Sequence, residues 1–430
     1  MDDILFWLIW SATTVFCLNL IWEGVRDTEK ILEWPFLVGS ICLYLFSFMG
    51  LYAHLYLHET IDSDVAALGL LVVFACIVAV KLGWRMGRKQ SSLLKTHSYS
   101  YMSVWLIGTT LVILSTITNY LFQDALNSKS GSVTWENTSA YWYLFFYVGY
   151  PGLGLSLWAM QKMNAAQKKA FFIISIATFI VFIFPHVYTA RRGPLFPGVI
   201  TFLFVPILST RKKPNRFFII FVLVLTGFTM LAFVEARKFI YNQGTWTEAL
   251  DKMAIGDVVE KKARAVADNE FINNCYFIST LYSNGKYQFG TGHMELLVHW
   301  IPRRFWQDKP SLGEGYYPNI ELLMDVDRYS GLSIVGSGAA AGGFADSFVQ
   351  YGFLTPIFWF LLSFYFGKCY SVTRQNDDPL PILFYVALPC SSLWLLSQGL
   401  AAAFVPFAIF IAVPCVVLWL ARRENEWQQL

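Results

Sequence analysis

A series of apolar stretches dominates this 430-residue chain, and each is long enough to cross a bilayer as a helix. Within the hydrocarbon core, backbone N–H and C=O groups must be bonded inside the protein, so isolated spans of this length fold as helices. Charged residues make up 14% of the chain, against about 25% in a soluble domain. The sequence therefore predicts an all-α polytopic membrane protein with eleven transmembrane helices. These are expected at about 4–22, 35–57, 64–84, 100–122, 140–161, 170–189, 194–210, 216–236, 346–367, 380–399 and 402–421.

The distribution of Lys and Arg between these stretches predicts how the chain is oriented. One set of connections carries 18 of these residues, and the short connections of the opposite set carry 3. Because cytoplasmic loops are enriched in Lys and Arg, the first set is predicted to be cytoplasmic. The N-terminus is then outside, the C-terminus is inside, and the long connection after the eighth span is outside.

The chain is predicted to divide into 1–236 with spans one to eight, a large external loop at 237–345, and 346–430 with the last three spans and a cytoplasmic tail. The loop is expected to be partly helical. Its polar and apolar pattern predicts an amphipathic helix over 247–267, a more buried helix over 271–281 and a short helix over 294–298, with glycine breaks at Gly285, Gly290 and Gly292 and a glycine-rich stretch over 313–343.

Several function classes are disfavoured by the composition. A net charge of +3 is too small to indicate a nucleic-acid-binding protein. Of the seven cysteines only Cys275 lies in the loop, so no disulfide framework is predicted. The chain has no P-loop and no Cys-x-x-Cys pair. Asp325-Val326-Asp327 is a weak Asp-x-Asp pattern that is more typical of a solvated loop. No metal and no cofactor are predicted, and the scarcity of ionisable residues in the spans disfavours an ion-coupled transporter.

Cations on the predicted external side are the first candidates for a binding site. External cations oppose the charge rule for short loops, so a functional reason for them is expected. Phosphate binding is one such reason, because Arg binds phosphate oxygens in a bidentate manner. The alternative is that they reach lipid headgroups or pair with loop acids. The candidates are Arg191, Arg192, Arg237, Lys238, Arg303, Arg304 and Lys309.

A sugar hydroxyl that attacks as a nucleophile needs a general base. The loop and its end offer Glu314, Asp346, His293 and His299, with Asp308 and Glu295 as further acids. For any one of them, a solvated or structural role is the commoner outcome. Aromatic residues such as Trp306 and Tyr316 also crowd the loop. Such rings stack on sugars and also anchor proteins at a membrane interface, and both interpretations stay open.

Three segments carry a resemblance to a known family of membrane proteins. The stretch Ile301-Pro302-Arg303-Arg304-Phe305-Trp306-Gln307-Asp308-Lys309-Pro310 is similar to the Pro-Arg-x-x-Trp-x-x-Lys-Pro pattern of the bacterial oligosaccharide repeat-unit (O-antigen, Wzy-type) polymerases. Arg191-Arg192-Gly193-Pro194 follows a span as the family's Arg-Gly-Pro element does. Asp346-Ser347-Phe348-Val349-Gln350-Tyr351-Gly352 resembles its acidic entry into the next span, with Asp in place of Glu and Gln-Tyr in place of Asn-Phe. The resemblance covers about thirty residues and the overall plan of spans.

The resemblance implies a glycosyltransferase of the bacterial inner membrane with its active loop in the periplasm. A growing glycan would pass from undecaprenyl pyrophosphate to a second undecaprenyl-pyrophosphate-linked repeat unit, with inversion and without a metal. Arg303, Arg304, Glu314 and Asp346 would be catalytic, and Arg191, Arg192, Arg237, Lys238, His293, His299, Trp306, Lys309 and Tyr316 would bind pyrophosphate or sugar. Expected partners are these lipid-linked glycans, membrane lipids and a chain-length regulator. The alternatives are an O-antigen ligase and a lipid-linked oligosaccharide flippase or exporter.

Overall fold

The computed structural model describes residues 2–56, 61–90, 98–127, 145–188, 192–213, 270–285, 287–298, 342–375 and 378–421, with the single residues 215, 217, 236 and 306. These residues form helices and, within those ranges, no strand. The helices are α1 Asp2–Arg26, α2 Trp34–Cys42, α3 Met49–Tyr56, α4 Ser63–Arg88, α5 Tyr101–Asn127, α6 Gly149–Gln161, α7 Ala165–Tyr188, α8 Arg192–Thr210, α9 Glu270–Asn284, α10 Thr291–Val298, α11 Gly343–Tyr351, α12 Thr355–Gln375, α13 Pro379–Ser397 and α14 Leu400–Leu420.

Nine helical segments in the described part of the chain are long and apolar enough to cross a membrane. The all-α polytopic prediction is therefore confirmed. A π-helical segment, Leu43–Phe48, joins α2 to α3 and makes them one continuous candidate span. The predicted fifth span, 140–161, is described only from residue 145. Its helix, α6, begins at Gly149 and has 13 residues. The predicted eighth span, 216–236, lies almost wholly outside the described residues.

Two compact units make up the chain, and each is assembled from separated segments. The first unit comprises 1–89, 254–367 and 392–404, and the second comprises 90–253, 368–391 and 405–430. The packing units therefore differ from the contiguous division into 1–236, 237–345 and 346–430. Within the first unit, α1 packs against α2 and α4, and α9 packs against α3, α4 and α11.

Small residues let helices of the first unit approach closely, as is common where lipid gives no hydrophobic drive for association. Gly83 of α4 lies directly against the Phe360 carbonyl of α12. A Cβ on Gly367 of α12 would come 2.7 Å from the Trp84 carbonyl. Between these contacts, the Ser363 hydroxyl donates to the Val80 carbonyl at 2.7 Å.

Charges at the end of α4 are neutralised by two carboxylates of the same unit. Lys81, which is buried, hydrogen-bonds to Glu23 of α1. The buried Glu33 accepts from Arg88 and from the indole nitrogen of Trp84, the latter at 2.9 Å. Because an unpaired buried charge is costly, Glu23 stabilises the buried Lys81, and the partly exposed Arg88 stabilises the buried Glu33.

The second unit has a symmetrical glycine contact between α5 and α6. A Cβ on Gly108 would lie 2.7 Å from the Gly152 carbonyl, and a Cβ on Gly152 would lie 2.8 Å from the Gly108 carbonyl. The two backbones therefore touch at this crossing. Nearby, the Tyr150 hydroxyl donates to the Pro194 carbonyl at 2.5 Å and ties α6 to the start of α8.

Two of the helices predicted for the external loop are present. The buried helix predicted over 271–281 is α9, and the short helix predicted over 294–298 is α10, which begins earlier, at Thr291. Cys275 of α9 lies against Gly69, six residues into α4 and so about 9 Å from its start. Because α9 packs against the bodies of α3 and α4, it belongs to the helix bundle of the first unit. The predicted helix over 247–267 and most of the stretch over 313–343 lie outside the described residues.

Candidate functional site

Four of the predicted site residues fall in the described part of the chain. Asp346 and His293 are described with their side chains, Trp306 is an isolated residue with 41% of its surface exposed, and Arg192 begins α8 with only its backbone described. The remaining predicted site residues lie outside the described residues: Arg191, Arg237, Lys238, His299, Arg303, Arg304, Lys309, Glu314 and Tyr316.

Helices α10 and α11 are joined by a set of hydrogen bonds that we call the α10–α11 clamp, formed by Gln288, Gly292, His293, Gln350 and Tyr351. The Gln350 side chain is fully buried, and its amide nitrogen donates to the Gln288 side-chain oxygen. Its amide oxygen accepts the Gly292 N–H at 3.1 Å. Since both ends of this amide are engaged, Gln350 fixes the backbone immediately before His293.

The backbone of the turn before α10 is also bound to α11. The Gln288 N–H donates to the Val349 carbonyl at 2.9 Å. Phe289 and Gly290 follow with φ of 50° and 87°, in the left-handed region that favours glycine. Tyr287 packs its ring against Gly352, whose φ is 55°. The turn between α9 and α10 is therefore held in one conformation by α11 and the residue that follows it.

His293 lies in a mostly apolar surround with one specific polar contact. Its Nδ1 is 2.8 Å from the Tyr351 hydroxyl, and its ring is 5.3 Å from the Tyr351 ring and 5.5 Å from the Phe358 ring. Burial disfavours the charged imidazolium and lowers the pKa of His293 to about 4. The imidazole is therefore neutral at neutral pH, which is the protonation state that a general base requires.

Asp346 occupies a buried position where two helix starts meet. It lies in the first turn of α11, and its side chain is fully buried. Its Oδ2 accepts the backbone N–H of Leu400, the first residue of α14, at 2.6 Å. The preceding residue, Gly399, has a φ of 117°, and a Cβ on it would lie 2.7 Å from the same oxygen. The Asp346 carboxylate thus occupies the N-terminus of α14.

Other polar groups are buried on α11 and on α9, which packs against it. Asn273, Asn274 and Ser347 are each at most 3% exposed, on α9 and α11. The Asn274 amide nitrogen lies 2.9 Å from where a Cβ on Gly342 would be, and Gly342 has a φ of 82°. A side chain at Gly342 would therefore be strained and would crowd Asn274. Polar groups gathered this densely inside a membrane protein are expensive and are expected to be functional or closely paired.

Exposed aromatic side chains surround the turn between α9 and α10. Tyr282, Phe289 and Phe353 are 54%, 78% and 60% exposed. The Tyr282 and Phe353 rings are 5.9 Å apart in an edge-on arrangement. From Phe353 the exposed side chains continue along α12 at four-residue spacing through Ile357, Leu361 and Tyr365. This continuity associates these rings with the lipid-facing stripe of a candidate span, as expected of an interfacial anchor.

Sequence pattern does not indicate which residues hold His293. Gln350 and Tyr351 depart from the pattern of the family that their segment resembles, and Gln288 lies in no recognisable motif. Their partners are 58 to 62 positions away in the chain, so no local pattern connects them. Among the described residues, no group of three or more His, Cys, Asp or Glu is arranged to hold a metal ion.

Comparisons with models of known protein families, with curated proteins and with solved structures find no match to this chain.

Proposed function

We propose that this protein is a membrane glycosyltransferase that polymerises lipid-linked oligosaccharide repeat units on the periplasmic face of a bacterial inner membrane. The observation that carries the proposal is the stretch Ile301–Pro310, where two arginines, a lysine, two aromatics and two prolines lie within ten residues. Helix α10, with His293, ends three residues before this stretch. The Lys and Arg bias supports an external position for both.

In the proposed reaction, a hydroxyl of the non-reducing sugar on one carrier lipid attacks the anomeric carbon of the glycan on another. The new glycosidic C–O bond forms as the bond to the pyrophosphate oxygen breaks, with inversion. The hydroxyl proton passes to a base on the protein, and undecaprenyl pyrophosphate leaves as an anion. Fixed guanidinium groups, which keep their charge at any working pH, would stabilise the charge that develops on this leaving group.

His293 is the described residue best suited to take the proton. In the tautomer whose Nδ1–H donates to the Tyr351 oxygen, Nε2 is the basic atom of the ring, and because Nε2 is buried, the attacking hydroxyl would have to enter the site to reach it. The pKa of about 4 makes His293 a weak base in the empty protein. A pyrophosphate bound nearby would favour the imidazolium and raise that pKa toward the working pH. His293 would then become an effective base when the lipid-linked glycan donor is bound.

The deciding experiment compares lipid-linked glycans of cells with and without the protein, separated by gel and complemented in parallel. The proposal expects the loss of a polymer ladder and the persistence of a single repeat unit on the final lipid acceptor. Long polymer retained on the carrier lipid would identify a ligase instead, and repeat units confined to the cytoplasmic side would identify a flippase. An unchanged ladder would contradict all three.

Point variants then test the motif itself. We expect Arg303→Ala to abolish polymer at normal protein level, and Arg303→Lys to retain part of it, because Lys keeps the charge but not the bidentate geometry. The matched control is Lys286→Ala, a loop cation outside the motif. A wild-type chain-length distribution in the Arg303→Ala strain would remove the basis of the assignment.

A further inference from the structure

Asp346 stands among the acids from which a catalytic base would be chosen, but its contacts indicate another role. A general base has to reach the substrate proton, directly or through one water. The Asp346 side chain is fully buried, and one of its two oxygens is engaged by the Leu400 N–H at 2.6 Å. This oxygen also lies against Gly399. The geometry is that of an N-terminal cap supplied by another helix.

The first N–H groups of a helix have no partner within that helix, and a carboxylate placed there satisfies one of them while interacting favourably with the helix dipole. Helix α14 begins at Leu400 after a connection of only two residues from α13. The Gly399 conformation, with φ at 117°, brings the Leu400 N–H to Asp346. Asp346 also lies in the first turn of α11, so the starts of two helices meet at its side chain.

The start of α11 is docked on the same connection through its backbone. Gly343 lies directly against the Leu395 carbonyl in the last turn of α13, at a separation that leaves no room for a Cβ. Four residues after Asp346, Gln350 binds the Gly292 N–H and so fixes the residue before His293. Helix α11 therefore joins the α13–α14 connection at one end to the α10–α11 clamp at the other.

We propose that Asp346 is a positioning residue: as the cap of α14 it holds α11, and through α11 the His293 site, in the reactive arrangement. It acts as a hydrogen-bond acceptor for Leu400 and takes no proton from the substrate. The consequence for the reaction rests on the proposed glycosyl transfer, whereas the capping role can be tested without any activity.

The experiment compares Asp346→Asn with Asp346→Ala in the full-length protein, purified in detergent for melting and expressed in cells for the polymer ladder. Asn caps helices about as well as Asp, so Asp346→Asn should melt within about 0.5 °C of wild type. Asp346→Ala leaves the Leu400 N–H without its acceptor and should lower the melting temperature by about 1 to 3 °C. Ser347→Ala is the matched control, because the Ser347 hydroxyl only bonds the Gly343 carbonyl of its own helix.

The polymer ladder separates positioning from catalysis. Asp346→Asn should retain polymer within about threefold of wild type, whereas removal of a general base costs about 100-fold or more. A stable Asp346→Asn protein that makes no polymer would overturn the proposal in favour of a catalytic carboxylate. Wild-type melting of Asp346→Ala would overturn the capping role. If deletion of the whole protein leaves the ladder unchanged, the proposed function fails while the melting comparison still decides the cap.

A substitution at Gly399 tests the contact between Asp346 and the start of α14 from the α14 side. Gly399→Ala places a methyl group 2.7 Å from Asp346 Oδ2 and forces alanine into a left-handed conformation. It should reproduce the melting defect of Asp346→Ala. The double variant should lower the melting temperature by less than the sum of the two single effects, because both substitutions act on one contact. Fully additive losses would contradict a shared contact.

Discussion

The crossing of α5 with α6 and the α10–α11 clamp differ in what stabilises them. At the crossing, Gly108 and Gly152 bring two backbones into direct contact, and no side chain lies between the two glycines. In the clamp, a buried amide, a hydroxyl and an imidazole are joined by directed hydrogen bonds. The crossing requires that neither of the two positions carries a side chain, whereas the clamp depends on the chemical identity of its side chains. The same contrast exists within the first unit, where α4 and α12 meet at glycines.

This difference predicts opposite sensitivities to substitution. A residue at a glycine crossing should tolerate no added volume, and removal of a hydroxyl there should matter little. In the clamp, a substitution that removes the hydrogen-bonding groups should be destabilising even when it conserves the volume of the side chain. The following predictions test this, from the largest expected effect to the smallest.

Gly108→Leu should have the largest effect. The added Cβ would lie 2.7 Å from the Gly152 carbonyl and 2.9 Å from the Ser156 nitrogen, both backbone atoms that cannot move aside. We expect a loss of about 3 kcal/mol of stability, the upper end of overpacking costs. Detergent-solubilised melting and the yield of monodisperse protein measure it. Thr110→Leu, which adds volume at an exposed position of the same helix, is the control. A wild-type melting temperature for Gly108→Leu would contradict the backbone contact.

Gln350→Met should come second. Methionine keeps the length of the side chain but removes both hydrogen-bonding groups, leaving the buried Gly292 N–H without its acceptor. An unsatisfied buried group costs about 1–3 kcal/mol. Hydrogen exchange measures this directly, with faster exchange expected for peptides that cover 288–298. Ser283→Ala, an exposed residue whose hydroxyl bonds its own helix, serves as control. Unchanged exchange around Gly292 would mean that Gln350 does not hold α10.

The third prediction concerns pH and His293. Burial lowers its folded-state pKa to about 4, below the unfolded value of about 6.5. Above pH 6.5 both states are neutral, so His293 gives no pH dependence. As the pH falls from 6.5 toward 4, the unfolded state binds a proton that the folded state does not, and stability falls by up to about 1.4 kcal/mol per pH unit. Melting between pH 7.5 and 5 should show this decline.

His293→Gln should flatten the pH dependence of melting, because glutamine does not titrate in this range. The five other histidines stay in both proteins, so the difference between the two curves isolates His293. Parallel curves for the two proteins would show that His293 is accessible to protons in the folded state.

Ser363→Ala should have the smallest effect. The Ser363 hydroxyl donates to the Val80 carbonyl at 2.7 Å where α12 meets α4. Hydrogen bonds between helices in a membrane contribute about 0.6 kcal/mol on average. Equilibrium unfolding in mixed micelles should therefore show a loss near that value. A loss as large as that of Gln350→Met would mean that the glycine crossing and the clamp are stabilised alike.

Much of the helix pattern was predictable, because apolar runs of bilayer length leave the backbone no alternative. The π-helical junction at Leu43–Phe48 was not, and neither was the early start of α11 at Gly343, which packs directly against the Leu395 carbonyl of α13. For the site, the sequence indicated His293 and Asp346 as candidates by residue type and position. It gave no means to distinguish a base from a cap, because that distinction depends on which groups lie around each carboxylate or imidazole.

By itself, therefore, the sequence determined the class of protein, most of its spans and the expectation of cations beside a short helix in one long loop. Only the tertiary structure decided that α9 packs against the bodies of α3 and α4, that Gln350 and Tyr351 hold His293, and that Asp346 meets the first N–H of α14. The physical reason is separation along the chain: each of these contacts joins residues more than fifty positions apart. Hydropathy and local spacing report what a segment is, whereas packing selects its partners.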